Sequence, residues 1–201
     1  MATGSFKLPL ATLCGLSVVL IFCVFTLAAV VRFPGPFSPM DNWLSDLGTP
    51  SIDPAGNVFF DIGCILSGIF FLFFMAGLGA WYAGTGRSKA FLIAGQLCGA
   101  ISAFGLMLVG VFYEGTAYHV TLATTFFLFM LLFIIFTAIS LWDHPKFMRW
   151  IGYYTIVVVL IQLVFLYTYY AYAHAPLWEW MAVLGAQLWV ALLAYNTLKL
   201  D

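Results

Sequence analysis

Ser45, Asp46, Asp61, His119 and Glu179 are the residues with chemistry to offer in this chain, the first two in a long loop and the others at or inside long apolar runs. A serine, a histidine and a carboxylate are the parts of a nucleophile, base and orienting set. In such a set Ser45 would attack, His119 would take its proton, and Asp61 or Asp46 would fix the imidazole. Ser45 lacks the GxSxG setting of a strained nucleophile elbow, so a helix-surface hydroxyl beside Asp41 is the favoured reading for it. Zinc would need Asp61, His119 and His174 to converge from the second, fourth and sixth spans, with no HExxH spacing to help. The expected state therefore has no cofactor, and zinc is the metal to consider if one is found. Cys14, Cys23, Cys64 and Cys98 form no CxxC pair and read as small packing residues.

The elements that must position these groups are membrane helices. Of 201 residues, 64% are hydrophobic and only 7% charged, with a mean hydropathy of +1.06. So few charges cannot cover a water-facing surface. A span needs about 20 apolar residues, and the long runs place six, at roughly 8–31, 58–82, 90–112, 117–142, 150–173 and 177–198. The runs do not alternate, which leaves helices rather than a barrel. The fold class is all-α, a single six-helix transmembrane domain over residues 1–201. Lys7 precedes the first run, but that run is longer than a signal-peptide core, so an uncleaved first helix is expected.

Lys7, Arg87, Lys89, Lys146, Arg149 and Lys199 share one side, with Arg32 alone on the other. The excess of positive charge marks the cytoplasm, so both termini are expected there and a cell membrane is the expected location. The net charge is −1 and the basic residues are scattered, so nucleic acid is not an expected partner. Gly95, Gly99 and Ala103 form a small-xxx-small row on the third span. Packing within the chain is its first use, and a homodimer through that face is the alternative.

One long loop, 32–57, lies on the outer side. Ser38-Pro39-Met40-Asp41 has the form of a helix start and Gly48 of a stop, so a short helix is expected over 39–47. Asp53-Pro54 signals a second N-cap before the next span. Six of the eight carboxylates collect on this side: Asp41, Asp46, Asp53, Asp61, Glu114 and Glu179. Asp41, Asp53 and Glu114 fit ordinary solvated loop positions. Asp61 differs, lying one turn inside the second span, where a carboxylate needs a partner or water. His119 enters the fourth span at a similar depth and is the expected partner. Asn57, Asp61, Cys64 and Gly68 share one helix face that could wall a pocket.

The segment Asp41-Asn42-Trp43-Leu44-Ser45-Asp46-Leu47-Gly48, with Pro54 and Asn57 after it, resembles the six-span family catalogued as domain of unknown function 998. Val109-Gly110-Val111-Phe112 ahead of His119, and Leu177-Trp178-Glu179-Trp180 ahead of a last span containing Trp189, fit it too. Trp180 stands where the resemblance implies an arginine after the glutamate. The chain is also distantly similar to DRAM-like membrane proteins, which are linked to autophagy and lipid organisation. The resemblance implies the fold and a choice of residues but names no reaction.

The expectation is an outward-facing pocket, lined by Asn42, Ser45, Asp46, Asp61, His119 and Glu179, that binds a membrane lipid through its headgroup. An intramembrane hydrolase of a lipid amide or ester, using Ser45, Asp61 and His119, is the second expectation. A non-catalytic scaffold is the third. A neutral or cationic headgroup fits the acidic side better than phosphate alone.

Overall fold

The structure is a computed structural model that describes residues 8–82, 86–172 and 174–200. Lys7, one of the residues that orient the chain in the sequence, lies outside them. Six helices account for the architecture: α1 Leu10–Val30, α2 Asn57–Gly77, α3 Gly86–Val109, α4 His119–Leu141, α5 Arg149–Tyr172 and α6 Pro176–Thr197. Each is long and apolar enough to cross a bilayer, α2 being counted together with the 3₁₀ turn Leu78–Trp81 that extends it. No strand occurs among the described residues. The chain is thus an integral membrane bundle, as its composition requires.

The helix ends depart from the apolar runs in an instructive way. Helix α3 begins at Gly86, four residues before the run at 90, because a backbone helix can continue through polar residues into the headgroup region. It stops at Val109, before the run ends at 112.

Helices α1 to α6 are neighbours in chain order, and α6 returns to α1 to close the ring. Phe71 and Phe74 from α2, Phe133 from α4 and Trp189 from α6 meet in its centre, with Phe133 and Trp189 edge to face at 5.4 Å. Polar side chains in this interior mostly find partners. Thr12 Oγ1 donates to the Ala194 carbonyl, Trp189 Nε1 to Thr155 and Trp81 Nε1 to Thr197. Gln96 bonds the Met75 carbonyl and the Tyr82 hydroxyl. Gln162 is an exception: it is 1% exposed and both its amide atoms are buried without a partner.

The row on α3 is used inside the chain. A Cβ on Gly95 would meet Thr137 of α4 at 2.7 Å, one on Gly99 would meet Met75 of α2 at 2.1 Å, and Ala103 is fully buried. Small residues here let three backbones approach. By contrast α4 and α5 are loosely joined, far less in contact than α3 with α4 or α5 with α6. Phe127 and Phe165 bridge that seam, with ring centroids 4.5 Å apart. A cavity opens along it towards each end of the bundle.

The first loop does not form the helix expected over 39–47. Residues 38–42 make a turn, and a 3₁₀ helix follows over Ser45–Gly48. The reason lies in competing acceptors. Asn42 Oδ1 takes the Ser38 N–H, Asp46 Oδ2 takes the Trp43 N–H, and Glu179 Oε2 takes the Leu44 N–H. Asp46 and Glu179 have captured the Trp43 and Leu44 N–H groups, which a continuous helix would pair internally.

Candidate functional site

Glu179 organises the first-loop end of the bundle. It sits in the first turn of α6, 8% exposed, and its Oε2 accepts the Leu44 N–H at 2.6 Å. The Ser45 N–H also bonds this carboxylate. The next residue repeats the strap: Trp180 Nε1 donates to the Asn42 carbonyl at 3.0 Å. An indole N–H thus supplies a donor where the resemblance implied arginine. Phe37 packs edge to face on Trp180 at 5.6 Å, and Leu44 and Leu47 enter the core. The loop is a plug sewn to α6.

Behind this strap lies a cavity of about 150 Å³ between the loop, α4, α5 and α6. Ser45, Glu114, His119 and Glu179 supply its polar wall, and Trp43 and Tyr169 face it as aromatic sides. Trp43 and Tyr169 meet edge to face at 5.9 Å. Ser45 Oγ donates to Glu114 Oε2 at 2.8 Å. His119 Nδ1 lies 2.9 Å from the Phe112 carbonyl. A carbonyl only accepts, so Nδ1 carries the hydrogen, and in the neutral ring Nε2 is left as acceptor or base. A second, apolar cavity of about 30 Å³ adjoins, lined by Phe60, Cys64, Phe126 and Val183 among others.

The electrostatics are one-sided. Asp46, Glu114 and Glu179 act on one another as like charges. The one lysine or arginine at this end among the described residues, Arg32, points elsewhere: its guanidinium stacks on Phe59 at 4.2 Å and donates to the Ala28 carbonyl. Burial pushes the Asp46 carboxyl above its ordinary value and the Glu114 charge adds to this, while the Trp43 N–H and the Asn42 side chain pull it back only in part. Burial also raises Asp53, against hydrogen bonds from the Gly56 and Ala55 N–H groups.

Of the expected site residues, Ser45, His119 and Glu179 line the cavity. Asn42 and Asp46 are not in its lining, and their side chains accept the Ser38 and Trp43 N–H groups within the loop. Asp61 is elsewhere. Its Oδ1 is buried without a hydrogen-bond partner and lies against Gly48, whose Cβ would come within 2.9 Å of it. No hydrogen bond joins it to His119 among the described residues. The Asp61 carboxylate is directed at the loop glycine Gly48, and the Asp61 backbone packs against Gly110. His174 is exposed and meets Trp43 edge to face at 6.0 Å. The described residues hold no group of three His, Cys, Asp or Glu placed to bind a metal ion.

Two acidic residues differ from the loop positions expected of them. Asp53 is fully buried and its Oδ1 accepts the Gly56 N–H. Glu114, read as a solvated turn residue, is a wall of the cavity. Its only sequence signal is its place between an aromatic pair and His119, five residues before the fourth span.

No curated protein and no solved structure matches the chain. Residues 16–196 match the family model described as "Protein of unknown function (DUF998)", and the chain belongs to that family.

Proposed function

We propose that this protein binds a membrane lipid by its headgroup, and that the first-loop cavity receives a substituted ammonium group. The observation that carries the reading is the wall of that cavity. Glu114 and Glu179 face it beside Trp43 and Tyr169, with no lysine or arginine among them. Carboxylates and aromatic faces together are what a cation needs when it leaves water: a negative potential and a ring quadrupole. A volume of about 150 Å³ takes a small headgroup group and not a whole lipid. The tail would leave between Val120, Ala123 and Phe127 of α4 and Leu166 of α5, along the loose seam. Basic residues at the opposite end favour a cytoplasmic placement for that end, which turns this cavity outward.

The test is native mass spectrometry of the purified chain with lipids that share tails and differ in headgroup. Choline and ethanolamine lipids are expected to be retained over phosphatidylglycerol, with Glu114→Gln reducing the preference. Equal retention of all three headgroups would end this reading.

A second reading rests on the Ser45 to Glu114 hydrogen bond with His119 on the same wall. In a hydrolase of a lipid ester, Ser45 Oγ would attack the carbonyl, its proton passing to Glu114 or to His119 Nε2. Covalent labelling of Ser45 by a serine-directed fluorophosphonate, lost in Ser45→Ala, would support it. Absence of labelling leaves the binding reading alone.

A further inference from the structure

A larger cavity lies at the other end of the α4–α5 seam. It has a volume of about 1120 Å³ and shares no lining residue with the first-loop cavity. Its walls are apolar, with Ile135 and Ile139 on α4, Ile156, Val159 and Leu160 on α5, and Phe91 on α3. Along α5 it runs from Gly152 to Leu160, roughly 12 Å at the helical rise. One leaflet contributes about 15 Å of hydrocarbon. The groove therefore has the length of an acyl chain lying within a single leaflet.

Its mouth is polar and carries two opposite charges, Arg87 and Asp143. Neither forms an ion pair among the described residues, and both are exposed. The guanidinium of Arg87 lies over Phe91, 5.8 Å from the ring centroid. His144 faces the same mouth with its ring against Trp81 at 5.0 Å. Burial and the charge of Lys146 hold it below the ordinary histidine value, so it adds no positive charge near neutral pH. Two unpaired charges of opposite sign above an apolar slot match a zwitterion with a tail. An anionic lipid would satisfy Arg87 and be repelled by Asp143.

We infer that this groove is a second lipid site, for a phospholipid of the phosphoethanolamine type. Its phosphate lies on Arg87, its ammonium on Asp143 and one acyl chain runs down the seam. The site is independent of the first-loop cavity. That cavity selects a cation in a small enclosed space, whereas the groove selects a dipole over a long open one.

Native mass spectrometry of the full chain, titrated with phosphatidylethanolamine or phosphatidylglycerol of matched tails, tests it. Wild type is expected to hold one more phosphatidylethanolamine than the Ile139→Trp, Ile156→Trp variant, in which indoles fill the slot. Arg87→Gln is expected to weaken both lipids, and Asp143→Asn to erase the preference between them, each by about fivefold, the size of one exposed charge contact. These substitutions sit on exposed positions, and helix content by circular dichroism reports any loss of folding. Retention of a choline lipid at the first-loop end serves as the internal control and stays unchanged in all of them. Equal lipid counts in wild type and the doubly filled variant would overturn the proposal. So would an unchanged preference in Asp143→Asn.

Discussion

The two ends of the α4–α5 seam differ in every property that decides what a cavity can hold. At the first-loop end the space is about 150 Å³, closed by a strapped loop and walled by carboxylates and aromatic rings. At the other end it is about 1120 Å³, apolar and open, with its charges confined to the rim. One helix pair produces both because it is the weakest joint of the ring. What separates them is the capping: a long loop with its own acceptors above, and short connections below. The lesson is that loose packing makes room, while the loop chemistry decides what the room prefers.

The largest effect should come from cutting the strap. Glu179→Leu leaves the Leu44 N–H without its acceptor in a buried place, which costs about 1–3 kcal/mol. A lower Tm and faster proteolytic cleavage within 32–56 are the expected signs. Glu179→Gln keeps an acceptor oxygen and should do much less. If the leucine variant matched wild type in both assays, the loop would not be held by α6. Trp180→Phe removes one hydrogen bond to Asn42 and should cost about 1 kcal/mol, read as a smaller fall in Tm.

Acidification sharpens the contrast next. The folded chain holds the Asp46 proton more readily than the unfolded chain, since its carboxyl is raised above 3.8. Stability from this group is therefore full below 3.8 and lost as pH rises through the raised value. Asp53 acts in the same direction. The Tm is expected to climb as pH falls from 7 towards 3.8, with a smaller climb in Asp46→Asn, which can still accept the Trp43 N–H. An identical profile in Asp46→Asn would contradict the assignment to Asp46.

The smallest effect is expected between the cavities, at Gln162. Its amide is buried with no partner on either atom, so Gln162→Met should be neutral or stabilising by up to about 1 kcal/mol. Lipid retention at both ends should not change. A loss at either end would mean that the seam uses this amide, and the two cavities would then be parts of one path.

The sequence reveals the bundle well and the site only in part, for physical reasons. Six spans are legible because lipid forces each backbone to satisfy itself over about 20 residues. Depth is legible too, so Ser45, His119 and Glu179 are correctly placed at one end. Rotation about each helix axis is not, and Asp61 shows it: the same depth as His119, yet directed at Gly48. The expected helix over 39–47 fails because, although Ser38 Oγ accepts the Met40 N–H as at a helix start, the donors that follow are claimed by Asp46 and by Glu179, the latter 135 residues from Leu44. Glu114 escapes notice because a glutamate in a turn between spans carries no pattern until Ser45 is brought against it.

Under the proposed function, charge and not shape alone selects the ligand of the first-loop cavity. One measurement compares two soluble short-chain lipids that differ at one atom, a zwitterionic phosphocholine and its analogue with carbon in place of the ammonium nitrogen, which keeps the phosphate charge and lacks the cation. The Kd of each is measured on the purified chain and on Glu114→Gln. Wild type is expected to bind the phosphocholine about tenfold or more tightly, as a desolvated cation–π and carboxylate contact requires, and Glu114→Gln to narrow the gap. Equal affinity of wild type for the two lipids would contradict it.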